Sequence, residues 1–281
     1  RLHNDKRLLT DLDEERWLAI YQTVSRERGR TSAIMLYRTA RTVYEHHVRL
    51  RYIDRNSLLI IPETHDIKKA PASKKIIPAK QLPVLWNWMT TQAQPATRDF
   101  LMVGLFAGLR AGVIGGLQCK HVDPKKRTYT VPADAYGNKS KVLVEVPIPD
   151  ILWDRVFAPR LESKRDSQEW VIPSAKKAGQ PAVNVRGSLE GLRAATGIEC
   201  SPHTLKRTFG SLAQLATGDA LLVSRMLTHR ASSTIKDVPA VTAGYIHYEE
   251  DPLRAGFNKA AEFILERCTA PIKTGHPNAN S

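Results

Sequence analysis

Residues 100–110 read Phe-Leu-Met-Val-Gly-Leu-Phe-Ala-Gly-Leu-Arg, an almost continuous apolar run that ends in a cation. Because the run is apolar on every side, we expect a helix from about Thr97 to Leu109 that is buried in the core of the molecule. Arg110 follows directly. It could simply emerge at a helix end, or it could hold its guanidinium on a rigid scaffold and offer two parallel N–H donors to a phosphate.

Alternating apolar and polar residues farther along the chain predict a β-hairpin. Residues 128–131 and 142–146 alternate as strands do, and Gly137-Asn138 lies in the turn region between them. Lys139 and Lys141 fall at the tip of this hairpin. Lysines at hairpin tips are usually just solvated, but one on such a tip can also reach a DNA backbone and donate a proton there.

Helical spacing accounts for most of the remaining chain. One helix is expected after a cap at Thr10 or Asp11, and a second over residues 32–50. The other predicted helices begin at Pro83, follow Arg110 as a short helix to Leu117, and span 151–157, 185–196, 203–216, 220–227 and 251–268. The predicted fold class is therefore mainly α with a small β-hairpin or sheet, an α+β arrangement.

The charge balance points to a polyanionic partner. The chain has 42 Lys and Arg against 28 Asp and Glu, a formal net charge of +14. Such an excess suits nucleic acid, because each phosphate that is neutralised releases condensed counterions. A generic basic surface and an anionic membrane are the alternatives. The helix predicted over 32–50 has a basic side with Arg38 and Arg41, which faces either solvent or phosphates.

The sequence also argues against several other classes of protein. No run reaches about 18 consecutive apolar residues, as a transmembrane helix needs, and no signal-peptide pattern begins the chain. Cys119, Cys200 and Cys268 are too scattered for a disulfide framework or a zinc site. We therefore expect a cytosolic protein, and because no initiator Met is present we expect a fragment.

Three prolines and a group of lysines interrupt the helical pattern between residues 61 and 80, which is typical of an interdomain linker. The predicted organisation is a helical DNA-binding domain over 1–62, a basic linker over 63–80, a main domain over 81–268 and a disordered tail over 269–281. Basic residues in and near these regions are candidates for contact with DNA. They are Arg38, Arg41, Lys68, Lys69, Lys74, Lys75, Lys80, Lys141 and Arg207.

A third basic segment begins at Ser201-Pro202, a typical helix start. His203 and Lys206 are three residues apart and share a helix face, and Arg207 lies at its edge. Cations in a first helical turn oppose the helix dipole. Their presence is explained if an anion binds at the same helix N-terminus.

Two later segments complete the set: Met226-Leu-Thr-His229, and Val241-Thr-Ala-Gly-Tyr245-Ile-His247. A single His or Tyr is usually structural. Together, however, the segments resemble the tyrosine recombinase (phage integrase) family, whose order is an Arg after an apolar helix, a hairpin Lys, an H-x-L-R helix start, an L-G-H turn and a late Tyr. The matching residues are Arg110, Lys139, His203, Lys206, His229 and Tyr245.

The resemblance covers residues 81–268 well and implies a catalytic domain there, preceded by the later part of a core-binding domain. It implies that Tyr245 attacks a DNA phosphodiester and forms a 3′-phosphotyrosyl link. Arg110 and Lys206 would then stabilise the charge that builds on the phosphorus.

The proton transfers follow from the same resemblance. Lys139 would protonate the 5′-oxygen leaving group, His203 would assist proton transfer, and His229 would donate a hydrogen bond to a phosphate oxygen. No metal or nucleotide cofactor is implied. The expected partners are double-stranded DNA, a homotetramer formed on that DNA by a protein that is monomeric in solution, and accessory DNA-bending proteins.

Three positions depart from the family pattern. Lys206 replaces the second Arg and lacks its planar fork, Val113 replaces an acidic residue, and Thr228 replaces a small Gly or Asn. These departures keep open an alternative function, a recombinase-fold DNA-binding regulator with weak or no cleavage. An unrelated basic RNA-binding module is a third possibility, which the lack of an aromatic-rich strand argues against.

The last predicted helix carries an apolar stripe formed by Leu253, Phe257, Ala260, Phe263 and Ile264. This stripe either packs on the core of its own chain or, as the resemblance implies, belongs to a C-terminal segment that is exchanged with a neighbouring protomer.

Overall fold

The structure is a computed structural model, and it describes residues 11–53, 56–67, 74–135, 138, 142–163, 168–175, 177–182, 185–227 and 250–271. The chain divides into two compact units, Arg1–Ser73 and Lys74–Ser281. The described residues are mostly helical with one small antiparallel sheet, which confirms the predicted fold class. None of the described helices combines the length and the apolar character that crossing a membrane requires.

The first unit is built on two helices, α1 (Glu14–Arg28) and α2 (Arg30–Arg49), followed by a 3-10 turn (Ser57–Leu59) and α3 (Ile60–Thr64). The cap of α1 is Asp13, whose carboxylate accepts the backbone N–H of Arg16 at 2.9 Å, so the expected caps at Thr10 and Asp11 are wrong. Inside the unit, the Trp17 indole N–H donates to the Tyr44 hydroxyl at 2.8 Å, and both side chains are buried.

The second unit contains the remaining elements, in chain order. These are α4 (Leu82–Thr91), α5 (Pro95–Ala107), α6 (Ala111–Gly115), a 3-10 turn (Cys119–His121), β1 (Val122–Asp123), β2 (Thr128–Val131), β3 (Val144–Pro147), α7 (Asp150–Leu152), a π-helical turn (Trp153–Phe157), α8 (Ala158–Glu162), α9 (Arg186–Thr196), α10 (Pro202–Thr217), α11 (Ala220–Met226) and α12 (Glu250–Thr269).

The sheet has the order β1-β2-β3, and the β2–β3 pair confirms the predicted hairpin. Val131 pairs with Val144, so residues 132–143 form the connection between the strands. Asn138 is 5% exposed, and its side-chain amide donates to the carbonyls of Pro132 and Val142, each at 2.8 Å. Asn138 therefore closes the base of this long connection, because it bonds to both of its arms.

Helix α5 is at the centre of the second unit. All its residues from Phe100 to Ala107 are buried, as the apolar run predicted. Helices α10 and α12 pack against it, and the rings of Phe209 and Phe257 stack at 6.0 Å between centroids. Phe257, Ala260 and Ile264 are fully buried in this core, so the stripe on α12 packs within its own chain.

The start of the second unit includes part of the segment predicted as a linker. Ile77 is 3% exposed, and its backbone N–H donates to the Thr208 hydroxyl on α10 at 2.9 Å. Residues 74–81 are thereby attached to the larger unit, whereas α3 and Ile67 pack in the smaller one. The predicted domain bounds themselves stay predictions.

Candidate active site

The junction between α5 and α6 determines where Arg110 lies. Gly108 ends α5 in the left-handed conformation, with φ at 62°, and Arg110 is the N-cap residue of α6. A Cβ atom on Gly108 would lie 2.2 Å from Cδ1 of Phe209, which is closer than any side chain could approach. Leu109 is buried, whereas Arg110 is half-buried. The backbone that carries Arg110 is therefore fixed by core packing on both sides.

The start of α10 presents the second group of basic side chains. Ser201 caps the helix, since its hydroxyl accepts the backbone N–H of Thr204 at 3.0 Å, and Pro202 occupies the first turn. This confirms the predicted helix start. His203 is exposed and Arg207 half-buried, one helical turn apart on the same helix.

Lys206 lies differently from its neighbours on α10. It is 7% exposed, and its ammonium nitrogen Nζ donates to the carbonyl of Gly108 at 2.9 Å and to that of Leu227 at 3.1 Å. Burial, with a smaller effect from the positive charge of nearby Arg110, lowers the pKa of Lys206 to about 7. The structure thus brings Arg110 and Lys206 together, but the Lys206 amine points into the protein.

Several of the predicted catalytic and DNA-binding residues lie outside the described residues. They are Lys68, Lys69, Lys139, Lys141, His229 and Tyr245, and Thr228 belongs with them. The predictions for these residues stay predictions. Of the candidate catalytic residues, the described set comprises Arg110, His203 and Lys206, which belong to the α5–α6 junction and the start of α10.

The candidate DNA-binding residues of the first unit lie on the exposed side of α2. Arg38 and Arg41 are both exposed, which their predicted role requires. Arg41 forms an ion pair with Glu45 one turn later, at 2.6 Å, and this hydrogen bond raises the pKa of Arg41. Exposed pairs of this kind contribute little stability, so Arg41 can exchange Glu45 for a phosphate at small cost.

The candidate lysines at the start of the second unit are also exposed: Lys74, Lys75 and Lys80. Lys75 pairs with Glu199 at 2.9 Å, and this contact lowers the pKa of the Glu199 carboxyl. Since Glu199 lies four residues before His203, the pair places Lys75 near the start of α10. The sequence alone did not predict this proximity.

Val113, where the family pattern has an acidic residue, lines an open cleft of about 450 Å³ beside the sheet. Lys120, His121, Asp134 and Trp170 also line this cleft. Burial lowers the pKa of His121, and Lys120 adds to that effect. Within the described ranges, no three His, Cys, Asp or Glu side chains are grouped as a metal site would require.

Sequence reasoning missed the two backbone groups that hold Lys206, the carbonyls of Gly108 and Leu227. Gly108 had a usable signal, because a glycine directly after a helical run is typical of a left-handed helix end. Leu227 had no such signal. Its carbonyl contacts Lys206 only because α10 and α11 pack side by side.

The second unit has the catalytic-domain fold of a tyrosine recombinase. Its features are a helical body with a small sheet, a buried helix leading to Arg110 and a basic start of α10. The model of the phage integrase family matches residues 75–238, which is more than half of the chain. The chain belongs to the phage integrase family, which confirms the resemblance drawn from the sequence. The matched range includes five of the six candidate catalytic residues and ends before Tyr245.

Solved structures show the same fold at low sequence identity. The integrase from mycobacterium phage Brujita is 14% identical, with 90% of this chain and 83% of that chain covered and a TM-score of 0.50. A lambda integrase dimer bound to a COC′ core site is 12% identical, with 82% and 84% covered and a TM-score of 0.60. The Tn1549 transposon integrase in complex with a circular intermediate DNA is 16% identical, with 90% and 88% covered and a TM-score of 0.60. The search of curated proteins found no match.

Proposed function

We propose that this chain is a site-specific DNA recombinase that integrates or excises a mobile element through a 3′-phosphotyrosyl intermediate. The observation that carries the proposal is the meeting of Arg110 with the basic start of α10 in a member of the phage integrase family. Solved relatives with the same fold are complexes with DNA, among them a lambda integrase and a Tn1549 integrase. The net charge of +14 suits the same partner.

The proposed chemistry uses no cofactor. The Tyr245 hydroxyl oxygen attacks the phosphorus, a bond to the 3′-phosphate forms, and the bond from phosphorus to the 5′-oxygen breaks. His203 assists removal of the tyrosine proton, and Lys139 gives a proton to the departing 5′-oxygen. The phosphotyrosyl link conserves the energy of the broken bond, so attack by a 5′-hydroxyl of a second strand reverses the step and rejoins the DNA.

The positions of the basic groups suit a negatively charged phosphorus centre. Arg110 is held on a backbone fixed by core packing, and its guanidinium can donate two parallel hydrogen bonds to the phosphate oxygens. His229 is proposed as a further donor. Arg207 and the exposed basic residues of α2 and of 74–80 would contact flanking phosphates. We further propose a homotetramer on DNA, monomers in solution, accessory DNA-bending proteins and a bacterial cytoplasmic location.

A suicide substrate tests the proposal. Duplex sites selected for binding from a random pool are nicked at successive positions, so that cleavage releases a short fragment and traps the enzyme. We expect a covalent protein–DNA adduct with the unaltered chain and none with Tyr245→Phe. Tyr52→Phe is the matched control, because Tyr52 is 71% exposed in the first unit, and it should form the adduct normally.

The second candidate function is a recombinase-fold DNA-binding regulator without effective cleavage. It is favoured by the family match that ends at residue 238, before Tyr245, and by the substitutions Lys206 and Val113. Tight and sequence-specific DNA binding without any adduct on the nicked substrates would support the regulator and contradict the recombinase.

A further inference from the structure

The amine of Lys206 joins two helix ends that are distant in the sequence. Gly108 is the C-cap residue of α5 and Leu227 that of α11, and the carbonyls of both accept hydrogen bonds from Nζ. Carbonyl groups at helix C-termini lack partners within the helix and carry partial negative charge. A lysine between two such ends satisfies both, and it cross-links α5, α10 and α11 at one point.

The burial of Lys206 distinguishes this arrangement from a phosphate contact. Only 7% of the residue is exposed, and two of the three N–H bonds of its ammonium are already directed at protein carbonyls. A phosphate could use the third N–H only by reaching an amine that is almost entirely covered, and displacing either carbonyl would leave that acceptor without its donor, which is unfavourable. Arg110 beside it is half-buried and therefore more open to a phosphate.

The role does not require a charge on Lys206. Burial and, to a smaller extent, Arg110 favour the neutral amine, and the pKa is about 7. A neutral amine keeps two N–H bonds, which equals the number of carbonyls that it binds here. A guanidinium would stay charged and is larger and planar, so it fits this buried position less well.

We infer that Lys206 is a positioning residue: it ties the backbone before Arg110 to the end of α11, and it does not itself contact DNA. Arg110 follows Gly108 by two residues, so the tie fixes the point from which the guanidinium reaches the phosphate. The inference rests on the proposed function for its effect on cleavage. The geometry that it assigns to Lys206 can be tested without any activity.

The first experiment measures access to the amine. The whole chain is treated with an amine-acetylating reagent, with and without duplex DNA, and each lysine is quantified by mass spectrometry. We expect Lys206 to react at least tenfold less than Lys259, an exposed lysine on α12, whether or not DNA is present. Ready acetylation of Lys206 that DNA prevents would overturn the inference, because that result identifies a phosphate contact.

The second experiment compares Lys206→Met with Lys259→Met. Methionine keeps the length of the stem but cannot donate to either carbonyl. Near pH 10.5, where the deprotonated amine costs little in either the folded or the unfolded chain, we expect Lys206→Met to lower the melting temperature by roughly 5–10 °C, since one buried and one partly buried carbonyl lose their donor. Amide hydrogen exchange in peptides that cover 105–117 and 220–227 should rise. Lys259→Met should change neither. Unchanged hydrogen exchange in both peptides would contradict the role of Lys206 in linking the end of α5 to the end of α11.

The third measurement separates positioning from a purely structural role. Well below both melting temperatures and at saturating DNA, cleavage by Lys206→Met should fall about tenfold to hundredfold, because Arg110 is displaced. The salt dependence of DNA binding should keep its slope, since no phosphate contact is lost. A slope smaller by about one would indicate a lost phosphate contact and overturn the inference.

Lys206→Arg should change the cleavage rate in opposite directions for a phosphate contact and for a positioning role. If Lys206 bound the phosphate, arginine would restore the fork and raise cleavage; for the tie, it should lower both the melting temperature and cleavage. Faster cleavage by Lys206→Arg with unchanged melting would overturn the inference. If the unaltered chain forms no adduct on any nicked site, the proposed function fails, while acetylation, melting and hydrogen exchange still decide the position of Lys206.

Discussion

Replacing Gly108 by alanine tests the packing that holds the backbone of Arg110. Gly108 has a φ of 62°, and a Cβ atom there would lie 2.2 Å from Cδ1 and 2.9 Å from Cε1 of Phe209. Phe209 cannot withdraw freely, because it is fully buried and its ring stacks on Phe257. Gly108→Ala should therefore combine backbone strain with overpacking of the core.

Gly218 provides a matched control. It ends α10 with a φ of 72°, and no atom of the described residues lies within 4 Å of a Cβ placed on it. The left-handed conformation costs alanine roughly 1–2 kcal/mol at either position. Overpacking adds about 1–3 kcal/mol at Gly108 alone. For a unit of about 200 residues, each kcal/mol corresponds to roughly 2–4 °C. We thus expect Gly108→Ala to melt roughly 2–12 °C below Gly218→Ala.

Thermal unfolding followed by far-UV circular dichroism measures this difference, and Phe209→Leu assigns its cause. A smaller side chain at 209 makes room for the new methyl group, so the double variant with Gly108→Ala should lose less stability than the two single changes together. The corresponding double variant with Gly218→Ala should be additive. Equal melting of the two single glycine variants, or additivity in both double variants, would refute the proposed contact.

Three further predictions concern charge. Relative to Lys206→Met, the free energy of unfolding of the unaltered chain should rise by at most about 5 kcal/mol between about pH 7 and pH 10.5, because the unfolded chain binds more protons in that range. Chemical denaturation at a series of pH values measures this rise. A difference between the two chains that does not change with pH would contradict the lowered pKa of Lys206. Asp99 is fully buried, and its carboxylate accepts a hydrogen bond from Arg160 Nε at 2.7 Å. Asp99→Asn should therefore lower the free energy of unfolding by about 3–5 kcal/mol. The control Asp134→Asn, at an exposed site, should leave the melting temperature unchanged. DNA affinity should fall steeply and linearly in a plot of log affinity against log salt concentration, and a flat response would contradict contact with several phosphates.

The elements of the second unit that were predictable from sequence are those with strong local signals. The apolar run before Arg110 predicts α5, Ser201-Pro202 predicts the start of α10, and alternation predicts β2 and β3. Each signal reflects a local preference that the tertiary structure keeps. The family resemblance added the phage integrase family, which the match over residues 75–238 confirms, whereas the roles of the motif residues stay predictions.

Where the structure differs from the sequence-based prediction, contacts between residues distant in the sequence accompany the difference. Three possible caps lie between Thr10 and Asp13, and Asp13 caps α1 while the Ser57 hydroxyl donates to the Leu12 carbonyl at 2.9 Å. The helix predicted over 151–157 includes a π-helical turn at Trp153–Phe157, for which the local sequence has no clear signal. These features depend on packing partners, so helical spacing could not predict them.

The direction of the Lys206 side chain is the most consequential difference from the sequence-based expectation. Spacing along α10 groups it with His203, yet the side chain is buried and donates to carbonyls that are 98 and 21 residues away in the sequence. Basic residues in the first turns of a helix oppose the helix dipole, and a bound anion was the explanation expected for all of them. Lys206 has a different explanation, because its amine donates to the carbonyls that end α5 and α11. A bound anion would then have to account only for His203 and Arg207 on α10, which are exposed and half-buried. An amine buried behind Arg110 with a fixed pair of carbonyl partners limits how far that guanidinium can move. Cleavage by this chain would then depend on how well Arg110 is held, and the loss of an arginine at position 206 would matter less than the sequence pattern implies.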